Sequence, residues 1–215
     1  MSEHLPPTAV KLAEGLCDDE IQVWSVRYER TLGRQPLRQL LAGYLGTSWE
    51  SVVLADSAHG RPELDGEHRD RVCFNWSHSG TRAVVAVARS VQPGIDLEHV
   101  QRRAGRDVMA LAQRFFAPAE AAALGALPAD ARGRAFLRLW TVKEAVLKAH
   151  GRGLAYGLHR VQVSLHGEAA GTRVQLEDGD ADAWQVRELA LDPGWIAAVA
   201  WRGASMRVRW CGEIR

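Results

Sequence analysis

Gly94-Ile95-Asp96-Leu97-Glu98 opens a second run of elements in the same order as the first, and its reading decides the fold. The period of two along a strand sends Ile95 and Leu97 to one face and both carboxylates to the other. Acids about 7 Å apart on one face repel unless a cation or a row of donors stands between them. A half-exposed strand whose acids meet water has the same pattern. Downstream lie helical stretches from Arg106 to Leu127, a helix from Arg132 to His150, and the β-type runs VQVSL, TRVQLE, WQVREL and WIAAVAW. Upstream of the turn Gln92-Pro93-Gly94, Ile21 to Val26 alternates as a strand. Pro36 then sits in the first turn of a helix running through LRQLLAGYLG, which ends at or just after Gly46. Short strands are expected at Ser51 to Ala55, Val72 to Trp76 and Arg82 to Arg89, with GRPEL and SHSG as turns.

Strand, helix and strands therefore occur twice in the same order. This predicts an α+β protein of two similar α/β halves, residues 1–92 and 93–215, with a cleft between them. Composition agrees: 215 residues, 47% hydrophobic and 25% charged, are enough for one large domain or two small ones. No apolar run approaches the ~20 residues of a spanning helix, and MSEHLPPTAVKLAEGL lacks the basic-then-apolar order of a secretory signal, so a cytoplasmic protein without membrane contact is expected. Cys17, Cys73 and Cys211 are odd in number and widely separated, which argues against both a disulfide framework and a zinc spacing. A net charge of +1 disfavours general nucleic-acid binding, so affinity for anions has to come from a local cluster.

The stretch from Phe136 to His150 is apolar round most of its circumference and reads as a largely buried helix with few charges. Glu144 and Lys148 stand one turn apart, and Lys143 is expected within the same arc. An exposed i,i+4 pair would account for that on its own. One helical carboxylate facing two strand carboxylates is also the oxygen-rich, few-ligand set that magnesium accepts while keeping waters and phosphate oxygens, with a lysine one turn along to meet the phosphate. Ser77 and His78 do not read as a nucleophile and its base, because adjacent strand residues point to opposite faces and no GxSxG elbow is present.

GIDLE (94–98) followed by LWTVKEAVLKAHGRGL (139–154) resembles the two signature segments of surfactin-type 4'-phosphopantetheinyl transferases. HGRPEL (59–64) and FNWSHSG (74–80) are similar to two earlier motifs of that family in the same order, and RFFAPAEAAAL (114–124) to its RFF-plus-acid helix. Ordered motifs over roughly Arg30 to Leu165 carry weight that any one of them lacks.

The resemblance implies the transferase fold, two halves about a pseudo-twofold axis, a monomer, and magnesium on the diphosphate of coenzyme A. The implied reaction moves 4'-phosphopantetheine from coenzyme A to a serine of an acyl or peptidyl carrier protein, releasing adenosine 3',5'-bisphosphate. Such carriers serve fatty-acid, polyketide and nonribosomal-peptide synthesis. A non-catalytic homologue that binds coenzyme A or the carrier is the alternative. By the same resemblance Asp96, Glu98 and Glu144 are the metal acids, Lys148 meets the phosphates, Glu144 or a metal-bound water is the base, and Ser77 with His78 holds the nucleotide end. Arg61 falls on the basic position of the G-(K/R)-P motif. The sequence departs from the family before the first helix, where only Arg27, Arg30, Arg34 and Arg38 are available; Arg27 and Arg34 are the candidates for the nucleotide phosphates. Carrier docking is expected on apolar residues of 106–127, among them Met109, Leu111, Phe115 and Phe116.

Overall fold

Alternation in Ile21 to Val26 does give a strand, β1 (Glu20–Arg27), and the chain from there folds as two sheets laid face to face. The structure is a computed structural model that describes residues 15–103, 106–165, 172–177 and 184–214. Of the amino-terminal stretch read for a targeting signal, residues 1–14 lie outside those described. After β1 come α1 (Gln35–Leu45), β2 (Leu54–Asp56), β3 (Pro62–Leu64), β4 (Cys73–Ser79) and β5 (Arg82–Ala88). Then follow β6 (Gly94–His99), α2 (Val108–Phe115), α3 (Pro118–Ala126), α4 (Ala129–His150), β7 (Val161–Leu165), β8 (Thr172–Leu176), β9 (Trp184–Leu189), β10 (Trp195–Arg202) and β11 (Arg207–Ile214).

Pro36 starts α1 as expected, and Gly46, in the left-handed region at φ 66°, ends it by donating its N–H to the Ala42 carbonyl. Pro118 separates α2 from α3, since proline is tolerated in the first turn of a helix and not in its interior. Asp107 caps α2 by accepting from the N–H groups of Met109 and Ala110.

The two halves share one order of elements. In the first, β5 lies between β1 and β4, antiparallel to both, and β2 pairs with β3 as a side hairpin. In the second, β10 lies between β6 and β9, antiparallel to both, and β7 pairs with β8. α1 packs on the outer face of the first sheet and α4 on that of the second. β11 departs from a simple division at residue 92, because it runs back to pair with β1 in parallel and completes the first sheet.

A core between the sheets joins Ile21, Val23, Val84 and Ala86 to Ile95, Leu97, Val199 and Trp201. Full burial of such side chains is worth roughly 1.5–3 kcal/mol each, whereas a hydrogen bond nets about 1 kcal/mol. Apolar packing therefore holds the halves together.

Three sequence expectations fail locally. Ser51 belongs to a 3-10 turn, Trp49–Ser51, and the strand begins only at Leu54. The PEL of GRPEL is β3 rather than a turn, the bend lying at Gly60. The SHS of SHSG extends β4, and the bend falls at Gly80. Short polar segments carry turn composition, but here partner strands satisfy their backbone groups.

α4 is tied to β9 by Arg138, whose Nε and Nη2 donate to the two carboxylate oxygens of Glu188 at 2.7 and 2.8 Å. The Arg138 hydrogen bonds hold the Glu188 carboxyl below the usual carboxylate range, against the opposing effect of burial. The contribution is complete above the unfolded glutamate value, about 4.3, and is lost as pH falls through the lower folded value. Glu188→Gln is thus expected to lower stability at neutral pH and to flatten the acid limb of a pH-melting curve. Parallel acid limbs for the two proteins would contradict this.

Candidate active site

Gly94 determines how α4 meets β6. A Cβ at this position would stand 2.0 Å from the Ala145 carbonyl oxygen and 2.3 Å from the Ala149 nitrogen, so only glycine allows strand and helix backbones to approach this closely. The approach brings the last turns of α4 over Asp96. Ile196 and Ala198, directly across from Glu98 and Asp96 on β10, belong to the core beneath α4, so both acids face the helix as the period of two predicts.

Lys148 bridges the elements. Its Nζ donates to Asp96 Oδ1 at 2.8 Å and to the Ile95 carbonyl at 3.0 Å. The Ser77 hydroxyl donates to the same Oδ1 at 2.8 Å. The second oxygen, Asp96 Oδ2, is buried and has no hydrogen-bond partner. A buried polar atom left in that state costs about 1–3 kcal/mol, and more on a charged group.

In front of this contact a cleft of about 430 Å³ draws on both halves of the chain. Arg61 and Trp76 line it from the first, and Glu144, Lys148, Arg152 and Leu154 from the second. Arg61 donates to Glu63 Oε1 at 2.7 Å and makes a long contact, 3.4 Å, to the Lys148 carbonyl. Of the charged residues lining the cleft, Arg61, Lys148 and Arg152 are cations and Glu144 is a carboxylate, while Glu63 and Asp96 pair with Arg61 and Lys148.

The other expected residues fall elsewhere. Lys143 is not beside Glu144 and Lys148: it is fully buried on another side of α4, donating to Glu120 Oε2 at 2.7 Å, to the Leu158 carbonyl at 3.1 Å and to the Val161 carbonyl. Successive helix residues are turned by about 100°, which separates Lys143 from Glu144. Burial lowers the Lys143 ammonium from the ordinary lysine value, and the Glu120 charge opposes that shift. Ser77 and His78 do not form a pair, because alternation along β4 turns Ser77 toward β6 while His78 is exposed and stacks on Tyr28 at 4.1 Å between ring centroids. Arg27 pairs with Glu29 at 3.1 Å and Arg34 with Asp56 at 2.5 Å, both as surface contacts, and neither arginine lines the cleft.

Phe116 is buried and stacks on Phe136, and Trp140 packs among Phe115, Phe116 and Phe136, so this part of the expected docking surface is core. Leu154, 63% exposed at the cleft, was missed by the sequence reading, as were Trp76 and Arg152. All three lie inside motifs already quoted, Trp76 in FNWSHSG and Arg152 and Leu154 in LWTVKEAVLKAHGRGL, whose roles fell to other positions.

Among the described residues no three His, Cys, Asp or Glu side chains already converge on one point. The donor set nonetheless fits a hard divalent cation, since Asp96 offers an unpartnered buried oxygen and Glu98 and Glu144 are half-buried on the adjoining elements. No helix of the described residues is long and apolar enough to cross a membrane.

Residues 92–200 match the family model described as the 4'-phosphopantetheinyl transferase superfamily. The chain is 38% identical over 174 residues to 4'-phosphopantetheinyl transferase HetI of Nostoc sp., covering 80% of this chain and 70% of that protein. It is 32% identical over 171 residues to 4'-phosphopantetheinyl transferase Sfp of Bacillus subtilis, covering 78% and 71%. Among solved structures, the holo-ACP-synthase of Plasmodium yoelii aligns over 52% of this chain and 94% of its own, with a TM-score of 0.38 and 15% identity.

Proposed function

Because the chain belongs to the 4'-phosphopantetheinyl transferase superfamily, we propose an assignment of its cleft residues to the steps of that reaction. The protein transfers the 4'-phosphopantetheine arm of coenzyme A to a carrier protein. The observation that carries the assignment is the bond from Lys148 to Asp96 beside a cleft that both halves line.

In this reading Arg61, Lys148 and Arg152 receive the phosphates of coenzyme A, and their fixed charges offset the charge that builds on the leaving 3',5'-bisphosphate. His78, stacked on Tyr28 beside Trp76, offers an aromatic edge to the nucleotide end. Arg61 and Arg152 line the cleft and Arg27 and Arg34 do not, so Arg61 and Arg152 are the better candidates for the nucleotide phosphates.

Asp96, Glu98 and Glu144 would hold magnesium, which when bound supplies charge neutralisation on the diphosphate. Glu144 accepts the proton of the carrier serine hydroxyl, directly or through a water, as that oxygen attacks the β-phosphorus and the bond to the departing phosphate breaks. Exposed Leu154 at the mouth is the apolar contact available to the carrier. A cytoplasmic monomer completes the reading.

Release of adenosine 3',5'-bisphosphate, followed chromatographically with a carrier protein, coenzyme A and magnesium, tests the assignment. Glu144→Gln is expected to lower the rate by roughly 10²–10⁴-fold, the range of a positioned general base. A variant that binds coenzyme A and releases product at the full rate would overturn the role of Glu144.

A further inference from the structure

β4 and β6 are the edge strands of their two sheets and run against each other without pairing as a ladder. Alternate side chains of β4 cross the gap instead. Asn75 Oδ1 accepts from the Ile95 N–H at 3.0 Å, the Ser77 hydroxyl donates to Asp96 Oδ1 at 2.8 Å, and Ser79 Oγ accepts from the His99 N–H at 3.2 Å. All three side chains are buried. The bonds fall on either side of Asp96 and on Asp96 itself.

An apolar core presses the sheets together but does not direct where along β4 the strand β6 stops, because apolar contact is non-directional. Edge strands expose unpaired N–H and C=O groups, and nothing in such an edge fixes its register against a strand of another sheet. A slide of one sheet past the other would leave Asp96 with Lys148, since β10 and α4 hold β6 within the second half, but it would carry Asp96 away from Ser77 and from the part of the cleft that Arg61 and Trp76 line. Hydrogen bonds from residues two apart remove that freedom.

We infer that Asn75, Ser77 and Ser79 form a polar seam that fixes β6 against the first half, so that they are positioning residues for the carboxylate of Asp96. Ser77 acts here through Asp96 rather than on the nucleotide. The inference rests on the proposed role of Asp96 in transfer. It also gives the two-half architecture a purpose, since one half holds the strand whose acids work in the other.

Ser79 is the cleanest probe, because unlike Asn75 it does not line the cleft. In Ser79→Ala, amide hydrogen exchange at His99 is expected to accelerate roughly fivefold or more, as for a lost buried hydrogen bond. The kcat for transfer is expected to fall about tenfold or more, as for a misplaced catalytic group, with little change in KM for coenzyme A. Ser79→Thr, which keeps the hydroxyl, should restore both. Asn75→Ala should accelerate exchange at Ile95 in the same way. Unchanged exchange at His99, or faster exchange with wild-type kcat, would overturn the inference. Exchange does not depend on turnover, so a wild-type protein that failed to transfer would count against the functional reading while the seam was still measured. Should Asn75→Ala fail to fold, Ser79→Ala decides the question alone.

Discussion

Lys148→Met is expected to lower kcat for phosphopantetheine transfer by roughly 10²–10³-fold, the effect of removing one group that stabilises transition-state charge. Methionine fills a similar volume without the ammonium, so the change isolates charge and hydrogen bonding from packing. Two bonds disappear at once, those to Asp96 Oδ1 and to the Ile95 carbonyl. Asp96 would keep only the Ser77 hydroxyl among these partners, in a site where its other oxygen already has none. A loss in kcat larger than any rise in KM for coenzyme A would mark the lysine as acting in the transition state rather than in binding alone. A folded Lys148→Met protein with wild-type kcat would remove Lys148 from the mechanism.

The largest structural effect is expected at Gly94. Alanine there forces a Cβ to 2.0 Å from the Ala145 carbonyl oxygen, and that neighbour is helix backbone rather than the end of a movable side chain. Overpacking of this kind costs about 1–3 kcal/mol and sometimes more, and at a backbone contact the upper end applies. A loss of about 3 kcal/mol corresponds to a fall in Tm of roughly 6–12 °C for a chain of this size. Activity should fall with it even where the protein remains folded, because α4 can relieve the clash only by moving away from β6, taking Lys148 from Asp96. Gly94→Ala with unchanged Tm and unchanged kcat would show that the approach of strand and helix is not what assembles the site.

Much of this was legible in the sequence. The alternation of GIDLE placed Asp96 and Glu98 under α4, and the spacing of Glu144 and Lys148 put both on the cleft. The repeated order of strand, helix and strands gave the two halves.

What stayed hidden has physical causes. β11 is an edge strand with no fully buried position, which leaves a weak pattern, although it completes the first sheet by parallel pairing with β1. Of the seam residues, Asn75 fell in the expected strand, whereas Ser77 and Ser79 look like a turn because Ser is a turn former, and only the structure reveals them as strand. Lys143 was misplaced although helix spacing alone turns it about 100° from Glu144; its buried partner Glu120 comes from another helix, α3. Glu20 and Gln22 would be expected to face water from an alternating strand. Both are buried, since Arg207 and Arg209 of β11 pair with Glu20 and the Tyr44 hydroxyl donates to Gln22.

Intact-mass spectrometry of a carrier protein, incubated with this protein, coenzyme A and magnesium, tests the central claim most directly. The account predicts a gain of one phosphopantetheine on the carrier. That gain should be absent when the carrier serine is replaced by alanine, when a chelator is added, and when the enzyme carries Asp96→Ala. A carrier that keeps its original mass, with coenzyme A bound to the intact protein, would contradict the account and leave a binding protein in place of a transferase.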